Sequence, residues 1–382
     1  MRIAYVHFGV SIYDHLITKF LADRGHEIHL VSFIPDYLKK FDKTRNSQGF
    51  PEFKGLKIHH KYVEQSKIPW VFGYFYNCYK STALLKKMLR EIKPDVLNGH
   101  WIPTYGLYSA LSGFKPFVLT VWGSDILIAP NESLIIKNMA KMTLRKADRV
   151  ILDSVVQEKA AVDLNCSPEK IVRFPWAADL KMFNPKVNGR NLRRELGWEN
   201  KKIVFCARWH SPVYGVEYLM SAVKDIVKEV PDARFLIGGV GELTPLFKNI
   251  AKKDNVENFI KFAGRIDYEK MPEYISASDL YVSPSLSDGA SSTLLQAMAC
   301  AKPVAVSNIL GNTEWVKDDY NGLLFPVRNP EKIAEKVISL LNDENKMKVF
   351  GRRNLVIAGK KADINKNLLK YETALKGAKW TK

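Results

Sequence analysis

The sequence predicts an α/β chain of two doubly wound, Rossmann-like domains facing each other across a cleft. Three observations carry this. Short apolar, β-branched runs alternate with helix-periodic segments through both halves of the chain. Between the halves, Phe183-Asn-Pro-Lys-Val-Asn-Gly-Arg190 is rich in turn formers and weakly periodic, and reads as a linker. The notable polar clusters fall just after strands, and sheets of this kind bind ligands at the carboxyl ends of their strands.

In the first half the strand-like runs are Ile3–Phe8, Glu27–Phe33, Leu56–Val63, Val96–Trp101, Phe117–Trp122 and Arg149–Asp153. Helical patterns cover Tyr13–Asp23, Tyr76–Ile92, Glu132–Lys146 and Val155–Leu164. The second half repeats the scheme, with strands at Lys202–Trp209, Arg234–Gly239, Phe259–Gly264, Leu280–Ser285 and Pro303–Ser307. Its helical segments are Gly215–Lys228, Leu243–Lys252, Tyr268–Ser276, Thr293–Cys300 and Pro330–Asn342. A chain of 382 residues with 46% hydrophobic content is long enough to build a core in each of two domains.

Composition excludes several classes. Cys78, Cys166, Cys206 and Cys300 are far apart and form no C-x-x-C pair, so neither zinc nor a disulfide framework is indicated. The opening Met-Arg-Ile-Ala-Tyr-Val-His-Phe lacks a secretory apolar region and runs straight into a strand pattern. No run approaches the ~18 apolar residues of a membrane span. A cytoplasmic protein is expected, with any membrane contact peripheral and on the cytoplasmic face. The net charge of +18, from 58 Lys and Arg against 40 Asp and Glu, favours anionic partners. The basic residues form no arm and no recognition module is visible, so nucleic acid is not among those expected. Gly-x-Ser-x-Gly, His-Glu-x-x-His and Walker motifs are absent, which removes the usual parts of hydrolases and nucleotide triphosphatases.

The most informative segment is Leu280 to Pro303. A buried-strand run, Leu280-Tyr-Val-Ser283, leads into Asp288-Gly289-Ala-Ser291-Ser292-Thr293, after which Leu294, Leu295 and Met298 recur at helical spacing. A helix N-terminus presents unpaired N–H groups and partial positive charge, which suits a phosphate. Asp288 precedes the turn, and Gln296 lies one turn into the helix with its side chain leaning back toward the same opening. The arrangement suits a phosphorylated, hydroxyl-rich ligand.

Other strand ends add to it. Arg208 closes Ile203-Val-Phe-Cys-Ala-Arg and is placed to grip a diphosphate bidentately, the alternative being a surface ion pair. Gly238-Gly239-Val-Gly241 is a strand-to-helix turn that allows close backbone approach, but it lacks the third glycine and acidic partner of a dinucleotide fingerprint. Gly264-Arg265 is placed to border a nucleobase. Glu314, in Gly311-Asn-Thr-Glu, either bonds sugar hydroxyls or caps a helix. In the first half His100 and Asp125 end neighbouring strands and are candidates for acceptor binding or proton transfer. Structural burial remains open for His100, and capping of the next segment for Asp125.

At these residues the chain resembles family 4 of the retaining glycosyltransferases, which have the GT-B fold. The resemblance runs through Arg24-Gly-His-Glu-Ile, Trp122-Gly-Ser-Asp125 and Phe174-Pro-Trp-Ala-Ala-Asp179. It continues through Arg208, the Gly-Gly-x-Gly turn, Ala277-Ser-Asp-Leu-Tyr-Val-Ser-Pro-Ser285, Gln296-Ala-Met-Ala-Cys-Ala-Lys-Pro-Val and Asn321-Gly-Leu-Leu-Phe325. It implies transfer of a sugar from a nucleotide-diphosphate sugar, a UDP- or GDP-sugar, with retention of configuration and with no metal or other cofactor. The acceptor would be a glycan or lipid-linked glycan in cell-surface polysaccharide or glycolipid synthesis. It also implies an acceptor-binding domain over residues 1–180, a donor-binding domain over 181–362, and a C-terminal helix, 363–382, that packs back on the first. Donor contacts carry over to Gly9, Arg208, Tyr214, Gly239, Arg265, Asp288, Gly289, Ser291, Ser292, Thr293, Gln296 and Glu314. Catalytic roles carry over to Arg208 and Asp288, with Asp125 and His100 on the acceptor side. The chain departs from the family's pattern at four places. Asp288 and Gln296 replace the two Glu of a Glu-seven-residues-Glu motif, Tyr214 replaces a common Lys, and Trp122 stands where many members have His.

Residues 67–93 join an aromatic stretch, Lys67-Ile-Pro-Trp-Val-Phe-Gly-Tyr-Phe-Tyr-Asn-Cys-Tyr-Lys80, to Lys86, Lys87 and Arg90. This suits either an anionic membrane surface or a core helix with a solvated basic face. Two rival functions stay open on sequence alone: a sugar-nucleotide epimerase and a non-catalytic nucleotide-sugar-binding protein.

Overall fold

The computed structural model describes residues 1–8, 11–35, 53–63 and 70–378. Gly9 and residues 67–69 of the aromatic stretch lie outside the described residues. The chain divides into two compact units. One runs Met1–Phe174 and is rejoined by the chain from Leu368 onward; the other is Pro175–Asn367.

The first unit is built on a parallel sheet of β1 (Arg2–Val6), β2 (Glu27–Pro35), β3 (Leu56–Val63), β4 (Val96–His100), β5 (Phe117–Thr120), β6 (Arg149–Leu152) and β7 (Ile171–Arg173). Their order is β3-β2-β1-β4-β5-β6-β7. Ala4, Val6, Leu97, Leu119 and Val150 form the middle of its core. Apolar strands covered on both faces by helices explain the near-continuous hydrophobic runs. Serines start the helices: Ser133 caps Leu134–Lys146, Ser154 caps Val155–Asp163, and Ser11 forms a capping box with Asp14 on Ile12–Asp23.

The second unit repeats the design with β8 (Lys202–Ala207), β9 (Ala233–Gly238), β10 (Ile260–Gly264), β11 (Leu280–Ser283), β12 (Val304–Ser307) and β13 (Leu323–Phe325). The order is β10-β9-β8-β11-β12-β13, all parallel. The helix Val216–Glu229 lays Leu219, Met220, Val223 and Ile226 on this sheet's core. β7 and β13 are three residues long, too short for any periodicity to mark them in the sequence.

Two expectations are corrected here. Phe183–Arg190 is no linker: Phe183 is fully buried with its ring edge-on to Tyr268, and Ser276 donates its hydroxyl to the Val187 carbonyl. The stretch lacks periodicity because it packs as turns. The boundary also falls at Phe174/Pro175, ahead of residue 180. Phe174 donates its N–H to Leu152 at 3.1 Å, joining the first sheet. Ala178 donates to the Ala362 carbonyl at 3.0 Å and accepts from the Ile364 N–H at 3.1 Å, inside the second unit.

The final helix, Ile364–Lys376, contributes Tyr371 and Glu372 to the first unit. Tyr371 is fully buried against Phe174 and donates its hydroxyl to Asn98 Oδ1. Glu372 accepts from Arg24 Nε at 2.7 Å, His26 Nε2 at 2.8 Å and Lys376 Nζ at 2.6 Å. Burial opposes its charge, but hydrogen bonds from Lys376, His26 and Arg24 outweigh it and hold the carboxyl down at about 2.

Candidate functional site

In each sheet the chain reverses its winding direction between two adjacent strands, β1 and β4 in the first and β8 and β11 in the second. Carboxyl ends at such a switch point form a crevice that nothing in the sheet fills.

In the second unit, β8 delivers Arg208 and β11 leads to Asp288. Arg208 pairs with the Asp288 carboxylate, donates to Ser291 Oγ at 2.7 Å and reaches Thr293 Oγ1 at 3.4 Å. Tyr214 lies under the guanidinium, 4.3 Å from ring centroid to Cζ. The buried Tyr281 donates to Thr293 Oγ1 at 2.9 Å, fixing that hydroxyl in turn. The Ser291 and Thr293 side chains are thus spent on holding Arg208, so a ligand is left the backbone N–H groups at the start of the helix Ser292–Ala299. Burial works against charge on Arg208, and the adjacent Asp288 carboxylate more than restores it, raising its pKa. The Tyr in place of the common Lys therefore holds the guanidinium by its ring face and adds no second charge.

Around this core the structure gathers further predicted residues. Gly239 has φ +113°, and a Cβ there would stand 1.9 Å from the Arg208 carbonyl oxygen. Gly239 N–H donates to the Gly264 carbonyl at 2.7 Å, which brings the turn before the exposed Arg265 to the same edge. A Cβ on Gly311 would lie 2.2 Å from the Gly289 carbonyl oxygen, so the turn leading to the half-buried Glu314 abuts the Asp288–Gly289 turn. Gln296 is 3% exposed. Among the described residues Arg208 Nε, Gln296 Oε1 and Asn312 Oδ1 are buried with no hydrogen-bond partner. Each such atom costs about 1–3 kcal/mol, a cost that a polar partner would relieve.

The first unit holds His100 and Asp125, and neither is free for proton transfer. His100 is fully buried. Its Nδ1 accepts from the Trp122 indole N–H at 3.1 Å, so its Nε2 must carry the proton that is given to Asn98 Oδ1 at 2.8 Å. Burial, with the neighbouring His7 adding to it against Asp14, keeps the ring neutral. Asp125 Oδ1 accepts the N–H groups of Trp122 at 3.0 Å and Gly123 at 2.8 Å, and Oδ2 that of Ile102 at 3.1 Å. It fastens two strand-end loops. The capping reading of Asp125 and the structural reading of His100 are the ones the geometry supports, which also strips an epimerase of one candidate acid.

Sequence reasoning missed His7 and Asp14. His7 Nδ1 lies 2.6 Å from Asp14 Oδ1, and its ring stacks on Trp122 at 5.3 Å and 5°. The signal was present: a His just after the first strand, where His100 ends the fourth, and a four-residue Ser-x-x-Asp box at Ser11–Asp14.

Two parallel, doubly wound units, each with a polar cluster at its switch point, are the GT-B architecture. The chain matches the family models described as glycosyl transferases group 1, over residues 189–368, and glycosyl transferase 4-like, over residues 2–154. It belongs to the family 4 type of GT-B glycosyltransferases. An uncharacterized glycosyltransferase of Methanocaldococcus jannaschii, MJ1178, is 29% identical over 346 residues, covering 90% of this chain and 87% of its own. The UDP-Gal:alpha-D-GlcNAc-diphosphoundecaprenol alpha-1,3-galactosyltransferase of Escherichia coli is 29% identical over 279 residues, covering 69% and 71%. Among solved structures, Anabaena HepE in complex with UDP and glucose superposes with a TM-score of 0.77 at 18% identity, covering 99% of this chain and 100% of HepE.

Proposed function

We propose that the chain moves a sugar from a nucleotide-diphosphate sugar, UDP-linked by preference over GDP-linked, to a lipid-diphosphate-linked glycan, with retention of configuration and without a metal. The observation that carries this is the buried Arg208, clamped by Asp288, Ser291 and Thr293 beside a helix N-terminus. A fixed guanidinium and oriented N–H groups supply the positive charge that a departing diphosphate needs, which is the main catalytic requirement of the reaction. In this reading Arg208 and the backbone of Gly289, Ser291, Ser292 and Thr293 hold the diphosphate. Asp288 touches the sugar and Gln296 the ribose. Glu314 and Arg265 lie at the sugar and base ends. The E. coli relative, named for a UDP-sugar and a polyprenyl diphosphate, supports the choice of donor and acceptor; retention rests on the family resemblance.

The helix Trp70–Ile92 supports docking on an anionic membrane. Phe75, Tyr76 and Tyr79 are exposed, and helical spacing puts Phe75, Tyr79, Lys86 and Arg90 on one stripe. A cavity of about 550 Å³ is lined by Lys86, Arg90, Lys93, Leu89 and Phe114, a basic rim over an apolar floor. Among the described residues no helix is long and apolar enough to cross a membrane.

One experiment tests the whole reading. Release of UDP or GDP is followed from a panel of UDP- and GDP-sugars, with a polyprenyl-diphosphate-linked sugar held in anionic or zwitterionic vesicles and with or without EDTA. Acceptor-dependent release, insensitive to EDTA, faster on anionic vesicles at low salt and giving a product of the donor's anomeric configuration is expected. No release with any acceptor contradicts transfer, an inverted product contradicts retention, and equal rates on the two vesicles contradict docking.

A further inference from the structure

We propose that His7 is the residue that receives the acceptor, its Nε2 taking the hydrogen bond of the sugar hydroxyl that attacks the donor. This rests on the glycosyl-transfer reading above and adds the acceptor contact that reading lacks.

The geometry fixes which nitrogen is available. Asp14 is fully buried; its Oδ1 accepts from the Tyr5 hydroxyl at 2.6 Å, and its Oδ2 from the Ser11 hydroxyl at 2.8 Å and the Ser11 N–H at 3.1 Å. Burial alone would lift this carboxyl, but the adjacent His7, with the hydrogen bonds from His7 and Tyr5, overrides that and holds it at about 2. Asp14 is therefore a carboxylate, and the His7 nitrogen 2.6 Å away must be its donor. When the ring carries one proton its lone pair sits on Nε2, which has no hydrogen-bond partner among the described residues.

The ring is also held still. It lies flat on Trp122, edge-on to Tyr105 at 6.0 Å and against His100 at 4.9 Å. The His7 side chain is 11% exposed while Asp14 is 0% exposed, so the cluster opens at His7. That opening is at the carboxyl end of β1, beside β4, at the first sheet's switch point. His100 offers no such lone pair, since its two nitrogens serve Trp122 and Asn98.

A metal role for the same residues fits less well. Ligating atoms of His7, Asp14 and His100 lie within 4.8 Å of one another. With the His100 lone pair given to Trp122 and Asp14 Oδ1 shared by Tyr5 and His7, too few lone pairs remain for a cation. For transfer the pieces suffice. The acceptor oxygen, oriented by Nε2, bonds to the anomeric carbon as the carbon–phosphate oxygen bond breaks. The electron pair of that broken bond leaves with the diphosphate, and the hydroxyl proton passes along its hydrogen bond to Nε2. A carboxylate-braced imidazole orienting a nucleophile is positioning of the kind that raises effective concentration.

The test uses His7→Asn in the full chain. Its amide N–H replaces Nδ1–H toward Asp14, and nothing replaces Nε2. A fall of at least about tenfold in kcat/KM for the lipid-linked acceptor is expected, with UDP affinity by calorimetry and melting temperature unchanged. His7→Gln, which returns an amide oxygen toward the Nε2 position, should recover part of the loss. Wild-type transfer by His7→Asn would overturn the proposal, as would UDP affinity and melting temperature falling in step with rate. Failure of the parent reading is seen separately: the unmodified chain then shows no acceptor-dependent UDP release at all, and this inference falls with it.

Discussion

Arg208→Ala is expected to lower acceptor-dependent turnover at least about tenfold, a loss of ~1.4 kcal/mol or more of transition-state stabilisation. The structure sharpens why. Arg208 touches Asp288, Ser291, Thr293 and the Tyr214 ring at once. Its removal strips the diphosphate site of its fixed positive charge and leaves the Asp288 carboxylate, only 18% exposed, without a counter-ion. Breaking a buried pair by deleting one partner typically costs about 3–5 kcal/mol of stability. Arg208→Lys separates the two effects. It keeps a charge near Asp288 but cannot reproduce the fork or the flat stacking on Tyr214. It should recover most of the urea-unfolding stability and little of the turnover. Turnover of Arg208→Ala at the wild-type rate, measured at a denaturant-free temperature where both chains are folded, would remove the diphosphate role.

Gly239→Ala should leave the second unit unable to reach its native packing. At φ +113° an L-residue is strained by about 1–3 kcal/mol. The added carbon would also stand 1.9 Å from the Arg208 carbonyl oxygen and 2.9 Å from its carbon. Neither backbone can yield: Arg208 N–H is bonded to the Gly238 carbonyl at 3.2 Å and Gly239 N–H to Gly264 at 2.7 Å. Forced overpacking adds about 1–3 kcal/mol. Together these come to about 2–6 kcal/mol, a large part of the roughly 5–15 kcal/mol that keeps an ordinary domain folded. Low soluble yield, or a urea midpoint far below wild type, is the expected result; an unchanged midpoint would show that the turn can open without cost. Since the turn abuts Arg208's own carbonyl, any folded Gly239→Ala chain should also bind donor poorly.

How far these residues were visible in the sequence depends on the distance over which each is held. The strand–turn–helix of the second unit was legible because its logic is local. Leu280–Ser283 reads as a buried strand, Asp288 to Thr293 as a turn, and Leu294 onward as a helix, so the carboxylate and the helix N-terminus fall together by spacing alone. Arg208 was placed by the apolar strand before it. What spacing could not show is that Ser291 and Thr293 serve Arg208. The side-chain network of the first unit was illegible for the opposite reason. Tyr371 reaches Asn98 across 273 residues of sequence, and His100 is silenced by an indole N–H that only the fold brings to it. His100 was therefore read as a candidate for proton transfer, and His7, its equal in sequence position, was passed over. The domain boundary failed similarly. Phe183–Arg190 has the composition of a linker, yet Phe183 is buried beside Tyr268, a partner 85 residues later.

The central claim is that the strand-end cluster of the second unit holds the diphosphate of a nucleotide sugar. Hydrogen exchange of the full chain with and without saturating UDP tests it most directly. Bound diphosphate should slow exchange at the backbone amides of 289–296 and of the 208–215 turn, where N–H groups and Arg208 converge. Protection absent from both segments, or confined to the His7–Asp14 region of the first unit, would contradict the account.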